Sequence, residues 1–271
     1  MISAGFRAVS RGAAIPFATF ALVLVALPAG AAEADETWQK ESAQWFETIE
    51  PGGRVRVVNP LGDIRARFGG YEDQVEVLAT LQYTDRQASR PEVTLSRVGT
   101  GLDVSTRWRQ GDGAGRGRID LVVFVPQGAT LDARTEDGLL EAKGLKGDLI
   151  ASSFKGTVRI RSIQGRVSAK SARGAISAAL ETGVTDRPQS FTTETGDIEV
   201  YLWEDANLQV RLATSGEIST DFSIDIEHRR FEEPGKQGRA TVGKGGPELV
   251  LESKRGRVRL LRQQRDFDPG D

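Results

Sequence analysis

The run from residue 138 to residue 180, GLLEAKGLK GDLIASSFK GTVRIRSIQ GRVSAKSAR GAISAAL when broken every nine residues, decides how the rest of the chain is read. Gly138, Gly147, Gly156, Gly165 and Gly174 stand nine residues apart, and the positions two and four later are apolar: Leu140 and Ala142, Leu149 and Ala151, Val158 and Ile160, Val167 and Ala169, Ile176 and Ala178. The places between hold polar residues such as Thr157, Arg159, Arg166 and Ser168. Alternation with period two marks a strand with one face buried and one face wet. A fixed repeat of this length signals an architecture in which no unit buries its apolar face alone.

Working outward, further copies begin at Gly196, Gly216 and Gly256. Three residues before the glycine there is usually a hydroxyl (Thr135, Ser153, Ser162, Ser171, Thr193, Ser253), with Gly144 and Ala213 as exceptions. The hydroxyl is expected to satisfy backbone groups at a bend, and the glycine to supply a positive φ there. One unit holds a strand and a corner, so two units make an 18-residue coil with two flat faces. The later spacings of 22, 20 and 40 residues fit enlarged coils stacked in sequence order. Coils about 4.8 Å apart pair every strand with its neighbour and leave few backbone groups unsatisfied. The predicted fold is all-β, a β-solenoid (β-helix-like) of short glycine-cornered repeats with a less regular, longer-stranded N-terminal part.

Residues 127–262 form the regular part of this solenoid, interrupted by an inserted loop at 223–247, and 263–271 read as a disordered tail. Between residues 51 and 126 the strands are longer: Val55 to Val58, Ile64 to Phe68, Val75 to Tyr83, Val93 to Val98, Leu102 to Trp108 and Ile119 to Val125. Leu61-Gly62-Asp63-Ile64-Arg65-Ala66 anticipates the repeat, which favours an irregular start of the same solenoid over a separate β-sandwich. Residues 33–50 serve as a cap or linker, in which Glu36 to Phe46, with Trp38, Trp45 and Phe46, is expected to form a short amphipathic cap. Residues 1–32 have the order of a signal peptide: Arg7 and Arg11, the apolar run Ile15 to Leu27, then small residues to Ala32. The apolar run is shorter than the roughly 20 residues that span a bilayer, so no stable membrane span is expected after cleavage.

Composition narrows the chemistry. There is no cysteine, which excludes disulfides, thiolate metal sites, a cysteine nucleophile and a lipid-modified amino terminus, and His228 is the sole histidine. Most hydrolase triads and zinc sites need more than that. A net charge of −2 gives no bias toward nucleic acid. Export without disulfides places the chain in the periplasm or at the cell surface.

The frame Trp45-Phe46 to Pro51-Gly52, Leu61-Gly62-Asp63-Ile64, Val123-Phe124-Val125-Pro126 and Leu131-Asp132-Ala133-Arg134-Thr135 resembles the bacterial family called "putative adhesin". So does the ending, Gly243-Lys244-Gly245, then Leu249 to Ser253, then Gly256-Arg257-Val258. The resemblance covers about residues 45 to 262. It implies an exported β-solenoid of no established activity, and it supplies no catalytic residues.

The expected function is therefore a non-enzymatic envelope protein acting as a binding, adhesion-like or structural module, with an envelope protein or a glycan as partner and no cofactor. The alternative is a glycan-active or calcium-dependent β-helix enzyme. Asp197 and Glu217 occupy equivalent positions 20 residues apart, as do Glu199 and Ser219, so the carboxylates would stack one strand apart and repel unless a cation or ligand bridged them. Arg159 and Arg161, among the basic residues of the middle repeats, are the candidates for contact with an acidic glycan or lipid head group. His228 reads as a solvated loop residue, and the glycine-rich loop 111–117 as a flexible hairpin connection.

Overall fold

Wherever the alternating pattern occurs the chain forms a strand, because each apolar pair is buried only against the pair of a neighbour. The computed structural model describes residues 38–84, 91–107, 117–180, 187–203 and 205–263, and among them there is no helix. The expected leader at 1–32, most of the glycine-rich loop and the tail beyond residue 263 lie outside the described residues.

The N-terminal part supplies β1 (Trp38–Thr48), β2 (Arg54–Leu61), β3 (Ile64–Phe68), β4 (Gln74–Thr84), β5 (Glu92–Val98), β6 (Gly101–Arg107) and β7 (Gly117–Val125). The glycine-spaced repeats supply β8 (Thr130–Asp137), β9 (Leu140–Lys143), β10 (Leu149–Ser153), β11 (Val158–Arg161), β12 (Val167–Ser171), β13 (Ile176–Leu180), β14 (Gln189–Thr193) and β15 (Ile198–Leu202). The C-terminal part adds β16 (Leu208–Thr214), β17 (Ile218–Thr220), β18 (Asp225–His228), β19 (Lys236–Val242), β20 (Glu248–Ser253) and β21 (Val258–Arg262).

These strands build two large mixed sheets. The 10-stranded sheet runs β1-β4-β7-β3-β9-β11-β13-β15-β21-β17, and the 11-stranded sheet runs β18-β19-β16-β20-β14-β12-β10-β8-β2-β6-β5. Successive units alternate between the sheets, so residues 18 apart become parallel partners: Leu131, Leu149 and Val167 in one, Leu140, Val158 and Ile176 in the other. Antiparallel pairs occur at the ends, in β1-β4-β7, β5-β6 and β16-β19-β18. Because β2 and β3 pair with β8 and β9, the strands of residues 51–126 share both sheets with the repeats and form no separate sandwich.

The segment expected to cap the fold is a strand. In β1 the partly buried positions are Glu41, Ala43, Trp45 and Glu47, a spacing of two, and the whole strand pairs with the equally long β4. Trp45 packs against the core while Trp38 and Phe46 remain exposed.

The apolar members of the motif, from Val55 and Ile64 through Val158 to Val258, lie in one continuous core at the inner faces of the two sheets. Burying each Val, Leu or Ile contributes about 1.5–3 kcal/mol.

The corners correct the expected role of glycine. Gly156, Gly174, Gly196, Gly216 and Gly256 do not have positive φ. They are glycine because each stacks on the corner of a neighbouring repeat: a Cβ on Gly156 would overlap the Gly138 carbonyl, one on Gly174 the Gly156 carbonyl, and one on Gly256 the Gly196 carbonyl. At these corners close approach of backbones, not handedness, selects the residue, while Gly62 and Gly138 carry the expected positive φ, 124° and 153°.

The hydroxyls behave as expected on one side of the stack only. Gly256 N donates to Ser253 Oγ (2.8 Å), which donates to Gly196 O (2.9 Å), so this hydroxyl ties its own corner to the neighbouring one. Gly174 N likewise donates to Ser171 Oγ and Gly196 N to Thr193 Oγ1. Ser162 belongs to the opposite set of corners and takes a φ of 56°, the counterpart of Gly144 at 71°. The exception at Ala213 is a shift of one residue, since Thr214 occupies the buried register position of Ser253. Asn59 stands at the same position three residues before Gly62, fully buried, with Nδ2 donating to Ile119 O (2.7 Å) and Oδ1 accepting from Thr106 Oγ1 (2.6 Å).

The last repeats are not in sequence order. β20 lies between β14 and β16, and β21 lies between β15 and β17, so the C-terminal repeat is inserted into the stack instead of closing it. The segment expected as an inserted loop at 223–247 contributes β18 and β19, which extend the 11-stranded sheet beyond β16.

Candidate functional site

The residues that can meet a ligand are the outward members of each strand, and parallel register places equivalent ones in rows across the sheets. On the 11-stranded sheet one row is Val58, Arg134, Ser152, Lys170, Thr192 and Glu252, each on the next strand. Two residues further along, where the chain turns toward its corner, stand Pro60, Glu136, Phe154, Ala172, Glu194 and Lys254. The two rows line a groove of about 600 Å³ that crosses six strands. Five intervals of strand spacing make it about 24 Å long.

Its chemistry is mixed. Hydroxyls come from Ser152 and Thr192, and charges of both signs are present. Lys254 Nζ is 3.3 Å from Glu194 Oε1, whereas the side chains of Lys170 and Glu252 make no ion pair among the described residues. Phe154 is 47% exposed, and the Arg173 guanidinium sits 5.3 Å from its ring centroid.

Arg134 is held from below. Its Nε and Nη2 each donate to Asp132 at 3.0 Å, and Arg54 donates to the same carboxylate, whose side chain is wholly enclosed. Burial pushes the Asp132 carboxyl up, but the hydrogen bonds from Arg134 and Arg54, and their charges, outweigh it and hold it below the ordinary carboxylate range. The groove wall at Arg134 is therefore fixed in place.

The structure does not bring Asp197 and Glu217 together. Inserted β21 separates their strands, so Ile198 N donates to Arg257 O and Val258 N donates to Glu217 O. Arg257 Nη2 is 3.0 Å from Asp197 Oδ2, and Arg259 Nη2 is 2.5 Å from Glu199 Oε2. What the 20-residue spacing suggested as stacked carboxylates is an alternation of opposite charges, which stabilises neighbouring strands instead of inviting a cation. Tyr201 donates to Glu199 Oε1 (2.6 Å), and burial, then that hydrogen bond, push its pKa up to about 12. Glu217 is exposed at the edge of the sheet.

Arg159 and Arg161 point outward from β11 on the 10-stranded sheet, with Lys143 and Arg67 in the same row as Arg161. Lys170 lies on the other sheet, so the basic residues of the middle repeats are divided between two surfaces, as alternation requires. His228 ends the exposed edge strand β18.

No family model matches the chain, and no curated protein matches it. Two solved structures are similar in backbone course, each 12% identical and each matched over 82% of this chain. One is described as a "putative cell adhesion protein" from Clostridium sporogenes (all of that chain, TM-score 0.46), the other as a "putative adhesin" from Bacteroides fragilis (97% of that chain, TM-score 0.38).

Proposed function

We propose that the protein is a non-enzymatic module of the bacterial envelope, a β-solenoid that holds an extended glycan along the groove of its 11-stranded sheet. The observation that carries this reading is the groove itself, whose two rows of outward residues, one strand spacing apart from strand to strand, bring hydroxyls, both signs of charge and the exposed Phe154 ring together. A linear chain of hydroxyl-bearing rings matches such a surface, because aromatic faces take up sugar rings while fixed polar groups set orientation. The alternation of units between sheets at 18-residue intervals supports the solenoid, with 51–126 as its irregular start and 127–262 as its regular body. Export rests on the leader pattern at 1–32.

The chain from residue 33 onward, titrated calorimetrically with chitohexaose and cellohexaose, is expected to bind at least one of them and leave it uncleaved. Phe154→Ala should weaken that binding by about tenfold, the upper range for one aromatic contact. Equal affinity in the variant, release of shorter sugars, or no binding of either probe would remove the reading.

A further inference from the structure

The opposite face of the molecule breaks a rule that its neighbours obey. Toward the C-terminal end of the 10-stranded sheet, outward charges are matched across strands, Asp197 with Arg257 and Glu199 with Arg259. On β3, β9 and β11 like charges instead share a register row, with Arg67, Lys143 and Arg161 on three successive strands. The adjacent row alternates in sign, with Arg65 and Arg159 on either side of Glu141. Like charges directly opposite on adjacent strands are destabilising, and here they recur at about 4.8 Å over three strands.

Internal carboxylates engage only part of this charge. Glu141 pairs with Arg67, and Asp63 is shared between Arg118 and Arg65. The side chains of Lys143 and Arg159 are exposed and have neither hydrogen bond nor ion pair among the described residues. Next to Arg67 in the same row, on β7, lies the half-buried ring of Phe124.

We infer that this face binds an acidic polysaccharide, with Lys143 and Arg159 at the centre of the contact. Cations in line along the stack suit a linear polyanion whose charges recur along its length, and a local breach of cross-strand matching is expected at a functional surface. The apolar neighbour favours a glycan over a membrane: Phe124 is half-buried beside Arg67, where part of its ring can take a sugar, whereas a bilayer is entered by protruding apolar side chains. This site is on the other sheet from the groove and stands independently of it.

The experiment measures retention of the chain from residue 33 onward on immobilised polygalacturonate, with neutral dextran as the control matrix. Wild type is expected to bind polygalacturonate at low salt, to lose binding as salt shortens the screening length, and to ignore dextran. Lys143→Gln with Arg159→Gln should weaken binding about tenfold or more with little change in melting temperature, since neither side chain makes a hydrogen bond or ion pair among the described residues. Phe154→Ala should leave this binding intact, which separates failure here from failure of the groove. Equal binding by the double variant, no binding by wild type, or binding to phosphatidylglycerol vesicles in place of polygalacturonate would each overturn the inference.

Discussion

Replacing Gly156 by alanine is expected to destabilise the protein by about 3 kcal/mol and to lower its melting temperature by roughly 10 °C. Gly156 has an ordinary backbone conformation, so the loss would not come from handedness. It would come from the added methyl, which falls on the backbone carbonyl of Gly138 with no flexible side chain able to move away. Relief requires two coils to part, and parting them weakens the parallel pairing of β9 with β11. Gly70 supplies the contrast. Its φ is 76° and nothing lies within 4 Å of a Cβ built there, so alanine should cost only the left-handed conformation, about 1 kcal/mol. Thermal melts of the two variants check the point; a smaller loss at Gly156 than at Gly70 would show that the corners are not stacked as described.

Phe191→Ala is expected to cost about 4 kcal/mol. Phe191 is wholly buried on β14, between Ala169 on β12 and Leu251 on β20 at the same register. Ala133 and Ala151 continue the row on the other side, so the ring is the one large side chain beside a stretch of small ones. Alanines cannot reach into the vacated space and the paired strands cannot close over it, which places the loss toward the upper end for an aromatic truncation. Chemical denaturation with an unchanged slope and a lowered midpoint would be the expected signature. A loss under about 1 kcal/mol would mean that the ring does not fill the core.

How much of this was legible depends on which force set each feature. The strands were readable, since period-two alternation reports burial of one face and glycine marks the corner; Ile64–Phe68 was placed residue for residue. The amphipathic cap was misread because its aromatics drew attention away from the spacing of Ala43, Trp45 and Glu47, and their strand partners lie 28 to 36 residues away. Glycine's steric role was invisible because crowding by another coil leaves no local mark.

Stacking order was the largest departure. Identical motifs at Gly196, Gly216 and Gly256 do not say which coil neighbours which, and sequence order was the natural assumption. A signal was present, however: Asp197 and Glu199 face Arg257 and Arg259 at the same motif positions, and complementary charge favours those strands as partners. The carboxylate site disappeared for the same reason. The groove could not be foreseen from single motifs, because it arises from aligned outward residues of six strands together with the bend at each corner.

Because the chain has no cysteine, strand order can be tested by introducing pairs. Ser190 and Val250 are register partners on β14 and β20, whereas Arg211 lies one strand further, beside Val250 on β16. Neighbouring strands bring Cα atoms within disulfide reach, and a gap of two strands, about 9.6 Å, does not. Oxidation of Ser190→Cys with Val250→Cys is expected to give a crosslinked monomer, and Ser190→Cys with Arg211→Cys is expected to give none. The reverse result would mean that the coils stack in sequence order, which would take Glu252 out of the groove and Arg257 away from Asp197.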